Sequence, residues 1–320
     1  MTTRALITGG TGFVGQWLAR AMLSRGWTVT AGGVDASPPQ PVLSAQERGA
    51  IAWRPLDVRV REQAAAAIDA STPDVVVHLA GISYVPDAAD APTDAYRVNV
   101  LGAVALLAEL GRRRQAGTLD PVVLIVGSAE QYGAHDASEL PLVESAAQRP
   151  LTVYAASKAA QEVAALQAWR ATGLRVIATR SFNHSGPGHA PHFLLPALVR
   201  RALAARDGAA GIPVGNGDTI RDYLHVADVA EAYLRLLDRG TPGEAYNVCS
   251  GEGVSVRALA ERVLQRAGVD AEILPDPALA RAVDVPALVG SPAKLMQATG
   301  WRPQRTRDDI IDDLLHAATL

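Results

Sequence analysis

Two short stretches carry the residue types best suited to moving a proton. "VGSAEQYG" (126–133) closes an apolar run on Ser128, with Glu130 two positions further on, and "YAASK" (154–158) sets Tyr154 and Lys158 four apart. On a helix that spacing puts both side chains on one face. A phenol with a pKa near ~10 exchanges its proton poorly at neutral pH, and a neighbouring ammonium stabilises the phenolate. Lys158 is therefore expected to lower the pKa of Tyr154. Ser128 offers a hydroxyl. Glu130 reads equally as a base or as a polar loop residue.

These residues need elements to hold them. The first half alternates short β-branched runs, such as "RALITGG", "TVTAG", "DVVVHLAG", "VVLIVGS" and "RVIATRS", with Ala/Leu-rich amphipathic stretches. Long helices are predicted near 93–114 and 152–172. Repeated strand–helix alternation implies an α/β fold, a Rossmann-type doubly wound parallel sheet with helices on both faces. After residue 181 the pattern loosens into the loops "SFNHSGPGHAP" and "PVGNGDTIRDY". The expected division is 1–180, with returning segments at about 221–250, for a dinucleotide-binding domain. A smaller C-terminal α/β lobe takes 181–220 and 251–320, with a ligand cleft between the two.

"ITGGTGFVGQWLARAM" supplies Gly9, Gly12 and Gly15 between a strand and a helix. Glycines let the backbone approach a pyrophosphate, and N–H groups at the helix start attract its charge. Thr11, Phe13 and Val14 fall in the same turn. NAD sites usually place an acid at the end of the second strand, where this chain has Gly32 and Gly33, with Asp35 late and no arginine. The missing carboxylate points to NADPH, with NADH the alternative. Asp57 in "PLDVR", followed by Val58, suits an adenine-edge contact or a turn cap.

The balance of 30 Lys+Arg against 33 Asp+Glu gives no basic surface for nucleic acid or membrane, and no apolar stretch approaches a membrane span. The single Cys249 excludes an internal disulfide. "MTTRALITGG" runs straight into a strand pattern, so a cytoplasmic location is expected. His184, His189 and His192 lie close in "HSGPGHAPH", but a Gly/Pro loop without a nearby Cys or acid is a poor zinc site, and no metal is expected.

The order of glycine array, Ser128, Tyr154 and Lys158 resembles the extended short-chain dehydrogenase/reductases. That resemblance implies that Ser128 holds the substrate oxygen, Tyr154 passes the proton, and Lys158 binds the nicotinamide ribose. It also implies cofactor contacts from Leu79, Ala80 and Gly81 in "HLAG" and from Asn99 in "YRVNVLG". "RSFNHSGPG", "VGNGDTIRDYLHVADV", "YNVCSG" and "VPALVGSPAKLMQATGWRP" follow in order and are similar to the GDP-sugar members, most closely the GDP-4-keto-6-deoxy-D-mannose reductases. A GDP-sugar substrate is then expected. Asn183 would bond its diphosphate, Arg221 and Arg281 would bind phosphate oxygens, and Asp284 would accept from ribose hydroxyls.

Glu130 is the residue that a GDP-mannose 4,6-dehydratase would use as base. Reductases of this kind tend to keep a glutamate there too. The segment after the second strand, "GGVDASPPQPV", lacks the arginines of the dehydratases, and "SGPGHAP" replaces their Ser-Pro-Arg-Arg. Reduction of the C4 ketone to GDP-D-rhamnose is the favoured reading, with a dehydratase or another C4 epimerase or reductase as alternatives. The resemblance further implies a homodimer formed through a four-helix bundle of the two long helices.

Overall fold

The structure is a computed structural model that describes residues 2–35, 42–209, 211–280 and 284–319. The first part runs β1 (Arg4–Thr8), α1 (Phe13–Ser24), β2 (Thr28–Gly33), α2 (Ala45–Gly49), β3 (Ala52–Pro55), α3 (Arg61–Ser71), β4 (Val75–His78), α4 (Val85–Asp90), α5 (Pro92–Tyr96), α6 (Ala103–Gln115), β5 (Val122–Ser128), α7 (Val153–Thr172) and β6 (Arg175–Ser181). It continues β7 (Asn183–Ser185), α8 (Leu194–Arg206), β8 (Gly211–Val214), β9 (Ile220–His225), α9 (Val226–Arg239), β10 (Ala245–Val248), β11 (Gly253–Ser255), α10 (Val256–Ala267), β12 (Glu272–Pro275), β13 (Ala287–Leu288), α11 (Ala293–Thr299) and α12 (Arg307–Thr319).

Seven strands form a parallel sheet in the order β10-β6-β5-β4-β1-β2-β3. Alternation along each strand feeds two cores. Ile7, Val77 and Leu124 face a cluster with α1 and α9, while Leu6, Val76 and Val123 face one with α3, α6 and α7. Strands buried on both faces must be apolar throughout, which is why they read as unbroken runs. Strand order reverses beside β1, opening a crevice at the carboxyl ends of β1 and β4 where ligands bind in such sheets.

The chain differs from its sequence-based division at two places. β9 falls at the start of the segment of about 221–250 expected to return to the first domain, but it pairs with β7, β11 and β13 in a smaller sheet. α11, assigned to the small lobe, packs on α9 and β10, and Trp301 just after it is buried in the large-sheet core. Periodicity marks strands but not their partners. The span expected as one helix from 93 to 114 is α5, a π-helical segment Arg97–Gly102, and α6. No helix among the described residues is long and apolar enough to cross a membrane.

Candidate active site

A cavity of about 600 Å³ occupies the crevice, lined by the loop after β1, the ends of β2, β4 and β5, the start of α7 and the segment after β6. Its cofactor end is shaped by glycine. Gly9 has φ +69°, and a Cβ there would lie 2.6 Å from the Ala80 nitrogen; at Gly15 a Cβ would lie 2.6 Å from the Gly9 oxygen. Side chains there would collide with the backbone, so the tight turn that brings the start of α1 to the cavity requires glycine. Gly12 caps α1 without any side chain over its first N–H groups, and the first turn holds no acid. An anionic group therefore fits there.

Gly9, Thr11, Gly12, Phe13, Val14, Gly15, Asp57, Val58, Leu79, Ala80 and Gly81 all line the cavity. Asn99 does not. Its amide is committed to the loop, accepting from the Ile82 nitrogen at 2.8 Å and donating to the Ile82 oxygen and to Ser157 Oγ. It braces the loop after β4 against α7 from behind Gly81.

At the adenosine end the sequence reading missed Arg59. It lines the cavity beside Gly33, Val34 and Asp57, and its guanidinium grips the Asp57 carboxylate through Nε at 2.9 and 3.0 Å and NH2 at 2.7 Å. That pairing holds the Asp57 carboxyl below its ordinary range, the hydrogen bond from Arg59 being the main cause. The "DVR" triplet was the available signal, but the arginine belongs to the turn after β3 rather than to the end of β2.

The other end joins the predicted catalytic set. Ser128 ends β5 and caps the short 3₁₀ turn Ala129–Tyr132, its hydroxyl accepting from the Glu130 nitrogen at 3.2 Å. Tyr154 sits in the first turn of α7, which Thr152 caps by accepting from the Ala155 nitrogen at 3.1 Å. The Ser128 hydroxyl is close enough to that of Tyr154 to favour its phenolate. Ser128, Glu130, Tyr154 and Lys158 all line the cavity.

The electrostatics depart from the sequence-based expectation. Tyr154 is pushed up to about 12, because burial outweighs its hydrogen bond with Ser128 and Glu130 adds negative charge nearby. Lys158 is itself buried, and desolvation lowers it to about 8. Its ammonium is turned away, donating to the Val126 oxygen at 2.8 Å and to Gln161 Oε1 at 3.0 Å. Helical spacing fixed the shared face but not the direction of the lysine tip. Tyr154 is thereby held as a phenol at neutral pH, which is the form that gives a proton.

Across the cavity lie Asn183, His184, His189, Phe193, Leu194 and Tyr84. The histidines that invited a metal reading stack with aromatic rings instead. His189 lies 4.5 Å from the Phe13 ring and 4.3 Å from that of Phe193, and burial lowers its pKa to about 3. Among the described residues no group of three or more His, Cys, Asp and Glu could hold a metal ion. Cys249 is buried beside Phe182 and Tyr132. Arg221 and Asp284, read as separate substrate contacts, form an ion pair with each other outside the cavity lining. Arg221 also donates to the Val285 oxygen at 2.8 Å. Arg281 lies outside the described residues.

A parallel sheet, a glycine cradle and a Ser–Tyr–Lys set define a dinucleotide-dependent oxidoreductase. The chain belongs to the extended short-chain dehydrogenase/reductases, within the family described as GDP-mannose 4,6 dehydratase, whose model matches residues 6–314. It is 36% identical over 308 residues to the GDP-6-deoxy-D-mannose reductase of Pseudomonas aeruginosa, covering 96% of this chain and 94% of that protein. Among solved structures it resembles RMD from Pseudomonas aeruginosa complexed with NADPH, at 33% identity and TM-score 0.82 over 98% of both chains. It also resembles the UDP-glucose 4-epimerase of Thermus thermophilus in complex with NAD, at 29% identity and TM-score 0.86 over 99% of both.

Proposed function

We propose that this protein reduces the C4 ketone of GDP-4-keto-6-deoxy-D-mannose, with NADPH as the preferred donor and NADH as the alternative, to give GDP-D-rhamnose. The observation that carries the reading is that Ser128, buried Tyr154 and Lys158 line one cavity with the glycine turn of Gly9, Gly12 and Gly15. The likeness to a GDP-6-deoxy-D-mannose reductase supports the substrate.

With its pyrophosphate held at Gly9, Gly12 and Gly15, a reduced dinucleotide would supply the hydride for C4. The protein's own groups manage the oxygen. Ser128 and Tyr154 hydrogen-bond the carbonyl, and Tyr154 gives its proton as charge develops there. Lys158 holds the ribose from its place in the cavity lining. Phe13, His189 and Phe193 stack into one aromatic wall of the cavity. Asn183 serves the diphosphate. Arg221 lies two residues before cavity-lining Tyr223 on β9 and so on the same side of the strand, which supports placing the nucleotide toward Arg221 and Asp284. Arg59 supports NADPH, since a guanidinium at the adenosine end suits a 2′-phosphate.

Glu130 in the cavity favours a second reading, a GDP-mannose 4,6-dehydratase in which Glu130 acts as base. Two parallel reactions separate them: NADPH with the keto-sugar, and GDP-mannose with catalytic NADP. Stoichiometric NADPH loss in the first alone supports the reductase. Keto-sugar formed in the second without net cofactor change would overturn it. A homodimer through α6 and α7 is part of the same reading, supported by their mutual packing and by the exposed Leu101, Val104 and Val163. A sedimentation profile of monomer alone would refute it. The cytoplasm is the proposed location.

A further inference from the structure

Beneath the site lies a buried polar network centred on Glu162, Arg180 and Gln131, none of which lines the cavity. Glu162 on α7 pairs with Arg180 on β6 through two hydrogen bonds, Nε to Oε2 at 2.9 Å and NH2 to Oε1 at 2.7 Å. The same carboxylate accepts from Gln131 Nε2 at 2.9 Å and Gln148 Nε2 at 2.8 Å. Arg180 also donates to the Tyr132 hydroxyl at 3.0 Å and the Glu144 oxygen at 2.9 Å, and Tyr132 donates to Asn247 Oδ1 at 2.7 Å. Gln131, Glu162 and Arg180 are 0%, 4% and 6% exposed, and none lines the cavity.

A buried ion pair is weak evidence for stability alone, because desolvation offsets much of its attraction. What distinguishes this one is where its fourth arm ends. Gln131 Oε1 accepts the backbone N–H of Ser128 at 2.8 Å. Glu162 follows Tyr154 by two helical turns and Lys158 by one, so it is rigidly tied to both. One carboxylate thus links the helix that carries Tyr154 to the backbone of Ser128, through a single amide whose two ends are both used. Arg180, the residue before cavity-lining Ser181, fixes the carboxylate against β6.

The geometry points to Glu162 and Gln131 as positioning residues that set the Ser128 hydroxyl against Tyr154. The inference rests on the reductase reading for its assay. Because Ser128 Oγ already accepts from the Glu130 nitrogen, a shift of its backbone would move a hydroxyl that has little freedom to compensate. A structural staple would lose stability when cut. A positioning device loses turnover through Ser128 in particular.

The test is a double-mutant cycle of Gln131→Met with Ser128→Ala, run with NADPH and the keto-sugar well below each variant's melting temperature. Gln131→Met is expected to lower kcat at least tenfold while KM for the sugar and Kd for NADPH stay within about threefold. In the Ser128→Ala background the same change should have no further effect. Losses that multiply, or an unchanged kcat, would overturn the proposal. If Gln131→Met does not fold, the paired Glu162→Met/Arg180→Met variant removes both buried charges together and enters the same cycle. A crystal structure of whichever variant folds gives a readout independent of turnover. The Ser128 hydroxyl should be displaced relative to that of Tyr154, and an unchanged position would contradict the inference. Wild-type turnover in the same assay separately decides the reductase reading.

Discussion

At the residue scale, the protonation of Tyr154 decides the direction of chemistry. A buried phenol near 12 is a weak acid that gives its proton only as negative charge develops on the substrate oxygen, and Tyr154→Phe should lower kcat by ~10²–10⁴-fold while leaving NADPH affinity intact; near-normal turnover would remove Tyr154 from the mechanism. Arg59→Met should weaken NADPH more than NADH, by tenfold or more in the ratio of their Kd values, measured by fluorescence titration. An unchanged ratio would show that Arg59 serves only Asp57. Lys158 carries a stability cost. Its folded value near 8 lies below its ordinary 10.5, so the burial cost, on the order of 3 kcal/mol, is present below pH 8 and fades as pH rises to 10.5. Lys158→Met should therefore compare best with the parent at pH 7 and lose that relative advantage by pH 10, as read from denaturant midpoints. Tyr154, Lys158 and Ser128 were legible because their spacing and order are local. The turned lysine tip, the Arg59–Asp57 grip and the Arg221–Asp284 pair were not, since each depends on which side chains meet after folding.

At the element scale, α7 is the piece on which the site depends. It runs from a Thr152 cap to an αL Gly173, and it carries Tyr154, Lys158 and Glu162. Thr152→Ala removes the acceptor for the Ala155 nitrogen and should cost about 1 kcal/mol of stability. Because the frayed turn is the one holding Tyr154, kcat should fall before KM does; equal stability with normal kcat would show that packing alone holds that turn. The large sheet was readable from its apolar runs, and the glycine turn from its place between strand and helix. The smaller sheet was not readable as such. β9 alternates like any strand, and nothing in its own residues says that its partners are β7, β11 and β13. The π-helical stretch over Arg97–Gly102 likewise leaves no periodic signature distinct from a helix.

At the scale of the whole molecule, burial of imidazoles sets the response to acid. His78 and His189 are lowered to about 3, and His184 and His225 are lowered too, each chiefly by desolvation. Below about pH 6.5 the unfolded chain binds protons that the folded chain refuses, so stability falls as pH falls, by up to ~1.4 kcal/mol per pH unit for each such histidine. The raised carboxyl of Asp222 opposes this at lower pH. The melting temperature should drop by several degrees between pH 7 and pH 5; a flat profile would mean that these histidines are not buried neutral. The central claim is that hydride and proton meet across one carbonyl, and it is tested most directly with NADPH deuterated at the transferring C4 position and the GDP-4-keto-6-deoxy sugar. The account predicts one deuterium at C4 of the sugar for each NADPH consumed. Conversion without deuterium at that carbon, or without NADPH loss, would contradict it.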